Sequence, residues 1–145
     1  MRIEYLTFLK KKPVSQAVLN KIIKQLAKDS RLKNKKLTLI IVGKQRIRTL
    51  NKKFRQQDKV TDVLSFSQRE GLEFNNTERD YLGEIFICWP QVISQAKKFK
   101  HSAVKEFSIL FVHGVLHLLG YDHEKEKDYQ KMKSLEEKII SKLYV

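Results

Sequence analysis

Hydrophobic and polar positions alternate along residues 2–8 (RIEYLTF), the two-residue period of a strand with one buried face. After Pro13, Val14, Val18, Ile22 and Leu26 recur at helical spacing, which predicts a helix with the proline in its first turn. LTLIIV at 37–42 is a β-branched run closed by Gly43 and reads as a buried strand. Residues 44–57 return to helical periodicity, 61–67 (TDVLSFS) and 81–88 (YLGEIFIC) read as strands, and the polar, turn-rich stretch 68–80 reads as a surface loop. Pro90 opens a helix to about Lys100, and a second runs from about Ser102 to Leu119. A last helix, from about Lys125 to Leu143, carries Met132, Leu135, Ile139 and Leu143 on one stripe. The pattern predicts an α+β fold: residues 1–145 as a single domain, with a mixed sheet of about four strands and about five helices.

Length and composition agree with that outline. A chain of 145 residues with 41% hydrophobic positions suits one core, without repeats or low-complexity linkers. No apolar run approaches the ~20 residues a bilayer span needs, and the start (MRIEYLTFLKKKP) lacks the apolar stretch of a secretory signal. Cys88 is the only cysteine, so no disulfide can form within the chain, and a reducing, cytoplasmic setting is expected.

Charge changes the picture more. Thirty Lys+Arg against sixteen Asp+Glu leave a formal net charge of +14, a field that attracts polyanions. The basic residues are spread over several elements, which favours nucleic acid over a membrane surface as partner. At about 100° per residue, Lys44, Arg48, Lys52 and Arg55 fall on one side of the 44–57 helix, with Ile47, Leu50 and Phe54 on the other. Such a face is either a solvated cationic surface or one that tracks phosphates.

The candidate chemistry lies in HGVLHLLGYDH at 113–123. His113 and His117 stand four apart on an apolar helix, so both imidazoles can reach one ion. Gly120 can end the helix in the left-handed conformation and let the chain fold back to deliver His123 as a third ligand. Three protein donors leave a fourth tetrahedral position for water, the arrangement of a catalytic zinc site at the end of a buried helix. Zn2+ is the expected ion, with Ni2+ or another divalent metal also compatible with imidazole donors. His101, a dozen residues upstream, reads as a surface residue at a helix boundary. The spacing is similar to the HExxHxxGxxH signature of metzincin proteases, except that Gly114 stands where they carry the glutamate base. A protease mechanism would therefore lack its proton acceptor. A glycine inside a helix costs about 1 kcal/mol relative to alanine, so the missing side chain must serve something, and room beside the metal for a bulky substrate group is the expectation.

Three motifs together resemble one family, the YbeY endoribonucleases or rRNA maturation factors. HGVLHLLGYDH fits the family's HGxLHLxGYDH without a substitution. LNKKFRQQDKVTDVLSFS at 50–67 fits its LN..YR..D..TDVLSFP, with Phe54 for Tyr and Ser67 for Pro. LGEIFI at 82–87 fits its GDI strand, with Glu84 for Asp, a change that matters only if that carboxylate holds a position. The resemblance implies that His113, His117 and His123 bind zinc and that Arg55 and His113 are the catalytic residues, Arg55 holding the scissile phosphate. A surface ion pair with Asp58 is the structural alternative for Arg55. Asp62 either supports a ligand histidine or is a polar residue at a strand start. It further implies single-strand-specific cleavage in maturing small-subunit ribosomal RNA, especially its 3′ end, and in ribosome quality control. A ribosome-associated GTPase and a small-subunit ribosomal protein are the implied partners. Attack by an activated water or by a 2′-hydroxyl both remain open. A non-catalytic, zinc-stabilised assembly factor that binds pre-ribosomal RNA is the alternative, with Cys88 as a conceivable fourth ligand.

Overall fold

Strand β1 (Arg2–Thr7) leads through helix α1 (Gln16–Leu26) to β2 (Lys36–Val42), α2 (Lys44–Arg55), β3 (Val63–Ser67) and β4 (Tyr81–Cys88), and three helices follow, α3 (Trp89–Phe99), α4 (Ala103–Leu118) and α5 (Glu126–Leu143). The structure is a computed structural model that describes residues 1–68, 80–121 and 125–144. The expected loop 68–80 therefore lies outside the described residues except at its two ends.

The sheet order is β1-β2-β4-β3. β1, β2 and β4 run parallel, and β3 returns antiparallel to β4 in the register Val63↔Ile87 to Ser67↔Gly83. The expected α+β domain with a four-stranded mixed sheet and five helices is what the described residues form. Alternation along the strands divides the core in two. Leu37, Leu39, Ile41, Ile85 and Ile87 meet α1, α4 and α5, while Ile40, Val42, Phe66, Phe86 and Cys88 meet α2. α4 is the most deeply buried helix, with Phe107, Phe111, Val112 and Val115 fully enclosed. Each such side chain contributes roughly 1.5–3 kcal/mol of apolar burial.

Boundaries depart from the periodicity in two informative places. α1 starts after Ser15, whose side chain caps the Val18 N–H, so Pro13 and Val14 precede the helix. Val14 is buried all the same, with its N–H donated to the Tyr5 hydroxyl. α2 ends at Arg55 because Gln56 takes the left-handed conformation, two residues sooner than expected.

Gly83 turns β4 in a way no other residue permits. Its φ is +141°, and a Cβ there would lie 2.1 Å from the Phe66 carbonyl oxygen. The irregularity brings Tyr81 and Glu84 together: the Tyr81 hydroxyl donates to Glu84 Oε1 at 2.8 Å and lies 2.8 Å from Thr38 Oγ1. Glu84 is 2% exposed, so its carboxylate does hold a position, inside the sheet. Burial pushes its carboxyl above the ordinary carboxylate value, against a smaller opposing effect of the Tyr81 hydroxyl. An acid raised in this way penalises the folded state above its folded value and not below its unfolded one near ~4.3. Glu84→Gln is therefore expected to raise the melting temperature at about pH 7.5, with the gain shrinking toward zero as pH falls to about 4. Thermal denaturation across that range checks it, and a pH-independent difference would contradict the assignment.

Candidate metal centre and cleft

The last two turns of α4 carry His113 and His117. Ser102 caps the start of this helix by accepting the Lys105 N–H. Its end is a Schellman turn: Gly120 N–H donates to the His117 carbonyl at 2.9 Å and Tyr121 N–H to the Leu116 carbonyl at 3.3 Å. Gly120 has a positive φ, +104°, as expected of the residue that ends the helix. His123 itself lies outside the described residues.

The two described imidazoles converge. Their ring centroids are 4.5 Å apart and their Nε2 atoms 2.9 Å apart. Two nitrogens bound to one tetrahedral zinc at ~2.0–2.1 Å stand roughly 3.3 Å apart, so the pair fits a shared divalent ion after an opening of a few tenths of an ångström. On its far side His113 Nδ1 meets the carboxylate of Glu136 from α5. Among the described residues no group of three or more metal-capable side chains is gathered, which leaves the site at the two α4 histidines there. Cys88 is no ligand to it. Its thiol is fully buried on the α2 side of the sheet, where enclosure pushes it above its ordinary value.

A cleft of about 550 Å³ opens over the pair, lined by Arg55, Asp62, Ser65, Ser67, His113 and His117 among others. It lies along β3, the last strand of the sheet order, so both faces of the sheet contribute to it. Arg55 comes from the α2 side: Nη2 donates to the Ser65 carbonyl at 2.9 Å, and the guanidinium rests 4.6 Å from the centre of the Phe66 ring. The ion pair considered for Arg55 is made by another residue, since Asp58 accepts from Arg48 Nε at 2.8 Å and its carboxyl is held below the ordinary range by it. Past His117 the surface continues into a second hollow of about 580 Å³ bordered by Arg31, Lys35 and Tyr81.

Two further expectations, for His101 and Gly114, need correction, and Asp62 falls on one of its two alternatives. Of the two alternatives for Asp62, its bonds fit the start of a strand: Oδ1 accepts the Val63 N–H at 2.8 Å and Oδ2 the Gln95 amide at 3.3 Å, neither His113 nor His117 is its partner, and support of His123 lies outside the described residues. His101 sits between helices as expected but is not a plain surface residue, because its Nε2 lies 2.7 Å from the buried carboxylate of Glu106, which also accepts from Gln95. The room left by Gly114 is filled from the sheet, not kept for a substrate. A Cβ there would stand 3.1 Å from both Ile85 Cγ2 and Ser65 Oγ. Glu136 went unnoticed in the sequence altogether; its only signal was one more acid on the α5 stripe, one turn after Met132.

Fold and site together define an α+β domain with a histidine pair at the floor of an open, arginine-bordered cleft. The family model described as endoribonuclease YbeY matches residues 6–144. An endoribonuclease YbeY of Phytoplasma australiense is 45% identical over 111 residues, covering 76% of this chain and 76% of its own. One of Nitratiruptor sp. is 46% identical over 111 residues, covering 77% and 72%. The solution structure of TM1509 from Thermotoga maritima matches with a TM-score of 0.63 and 29% identity, covering 97% of this chain and 91% of that one. The chain belongs to the YbeY family.

Close packing at Gly114 sets a testable limit. Alanine gains about 1 kcal/mol of helix propensity and loses a comparable amount pressing on Ile85 and Ser65, so Gly114→Ala is expected to stay within about 1 kcal/mol of the parent. Gly114→Leu is expected to lose about 2 kcal/mol or more in urea denaturation. A leucine tolerated without loss would show that α4 does not depend on this approach.

Proposed function

We propose that this protein is a metal-dependent endoribonuclease, specific for single strands, that acts in maturing the small-subunit ribosomal RNA 3′ end and in ribosome quality control. The observation that carries the reading is the convergence of His113 and His117 Nε2 atoms at 2.9 Å on a cleft that Arg55 borders. Support comes from the relatives, named endoribonucleases, and from the net charge of +14, which suits an RNA partner. No helix among the described residues is long and apolar enough to cross a membrane. A cytoplasmic setting, and partners among a ribosome-associated GTPase and a small-subunit ribosomal protein, follow the family reading.

His113, His117 and His123 would hold the ion, zinc before nickel. Bound there, a divalent cation supplies Lewis acidity toward a phosphoryl oxygen. The chain's own groups do the rest. Arg55, anchored on the Ser65 carbonyl and backed by Phe66, grips the scissile phosphate and stabilises the negative charge that develops on it. Asp62, tied by Val63 and Gln95, is a carboxylate on the cleft wall able to accept a proton from an attacking hydroxyl or water. The hollow bordered by Arg31 and Lys35 gives the strand a way past His117.

Cleavage of a fluorescent single-stranded RNA, compared with its duplex, tests the reading. His117→Ala is expected to abolish cleavage while circular dichroism stays native. Arg55→Ala should lose roughly 10²–10³-fold in kcat, with Arg55→Lys recovering part of it. RNA affinity should fall with salt by a log–log slope of about −0.7 per neutralised phosphate. Tight RNA binding without cleavage by the parent protein would instead support the non-catalytic assembly factor.

A further inference from the structure

α5 reaches the histidine pair through one side chain. Glu136 lies one turn after Met132, which is fully buried against the main core, and one turn before Ile140, which packs on the same cluster. With the helix pinned on both sides, the Glu136 carboxylate is brought to His113 Nδ1, and its side chain is only 19% exposed. A neutral imidazole carries one N–H, and an ionised carboxylate can only accept. The contact therefore requires the proton on Nδ1 and leaves the Nε2 lone pair facing His117. The 2.9 Å approach of the two Nε2 atoms completes the assignment, because His113 must then accept and His117 donate.

We infer that Glu136 is a positioning residue for the metal centre: its carboxylate fixes the tautomer and rotation of His113 so that Nε2 is presented, lone pair outward, at the point shared with His117. This rests on the metal-binding reading above and adds a fourth participant, from a different helix, to the three histidines. Carboxylates that accept from the second nitrogen of a ligand imidazole raise its basicity, and their loss costs typically 10–100-fold in metal affinity. It also makes the docking of α5 a condition for a well-formed site, since the side chain that meets His113 Nδ1 comes from that helix.

Two measurements test this, neither of which needs RNA. Zinc and nickel affinities are taken by competition with a chromophoric chelator for the parent, Glu136→Gln and Glu136→Leu, with exposed Glu137→Gln as the charge control. Long-range ¹H–¹⁵N spectra of the metal-free proteins report the tautomer of His113. Glu136→Leu is expected to bind about 10–100-fold more weakly and to shift His113 toward the Nε2–H form. Glu136→Gln should keep the Nδ1–H form, since its amide oxygen still accepts, and should lose less affinity. Glu137→Gln should match the parent. The inference is overturned if folded Glu136→Leu binds both ions like the parent, or if His113 keeps its Nδ1–H form without the carboxylate. A parent that bound neither ion would defeat the metal reading alone, and the tautomer spectra would still decide the role of Glu136.

Discussion

The close approach of α4 to the β3–β4 pair at Gly114 is the contact on which the site depends. With no side chain there, the helix backbone comes down onto Ile85 and Ser65, and the two histidines on either side of Gly114 arrive beside the last strand of the sheet. That strand is narrow enough to be reached from behind. Arg55 belongs to the helix on the opposite face, yet its guanidinium bonds the Ser65 carbonyl, while the same residue's hydroxyl faces Gly114. Ser65 is thus the point where the two halves of the cleft meet. A sheet-edge site built this way stays open to a long, flexible substrate, and its opposing groups are still held by packed secondary structure.

Charge is sorted between interior and surface in a way that serves the same end. Several of the sixteen acids are engaged in internal bonds: Glu84 with Tyr81, Glu106 with His101 and Gln95, Glu136 with His113. Others neutralise a particular neighbour, as Asp29 does Arg31 and Asp58 does Arg48. Exposed pairs of that kind add little stability. Their larger effect is on the field, and a formal net charge of +14 remains to attract a polyanion. Among the described residues no buried side-chain nitrogen or oxygen lacks a hydrogen-bond partner, so the inward-facing acids cost the fold little in unmet bonding.

Much of this was legible in the sequence, for a physical reason. Period-two and helical patterns report burial along a single element, and a continuous apolar run such as that of β2 reports a strand buried on both faces. The histidine spacing was legible because both residues lie on one helix, four apart. What could not be read was every contact between elements. Gly114 signals that something approaches the helix, but the neighbour is a strand residue 29 positions away and not a substrate group. Glu136 is 23 residues from His113, a pairing fixed only by how α5 docks. The ion pair with Asp58 that stood as the structural alternative for Arg55 is made by Arg48, one turn or more earlier on the same helix, while α2 ends in the left-handed turn at Gln56. Ser15 outcompeted Pro13 as the start of α1 because a side-chain oxygen on the Val18 N–H satisfies a group that proline leaves unmet.

The surroundings of the histidine pair also select the sign of what they hold. His117 lies in the last turn of α4, where the aligned peptide dipoles leave partial negative charge, worth about 0.3–1 kcal/mol to a cation. Behind His113 stands the Glu136 carboxylate, a full negative charge one ring away. Both features favour positive charge at the point the Nε2 atoms share, in a protein that is otherwise strongly basic. Arg55 stands across the cleft from that point and favours the opposite sign. An anion seated between them would meet a cation from each side, as a phosphodiester must when charge builds on its oxygens during cleavage.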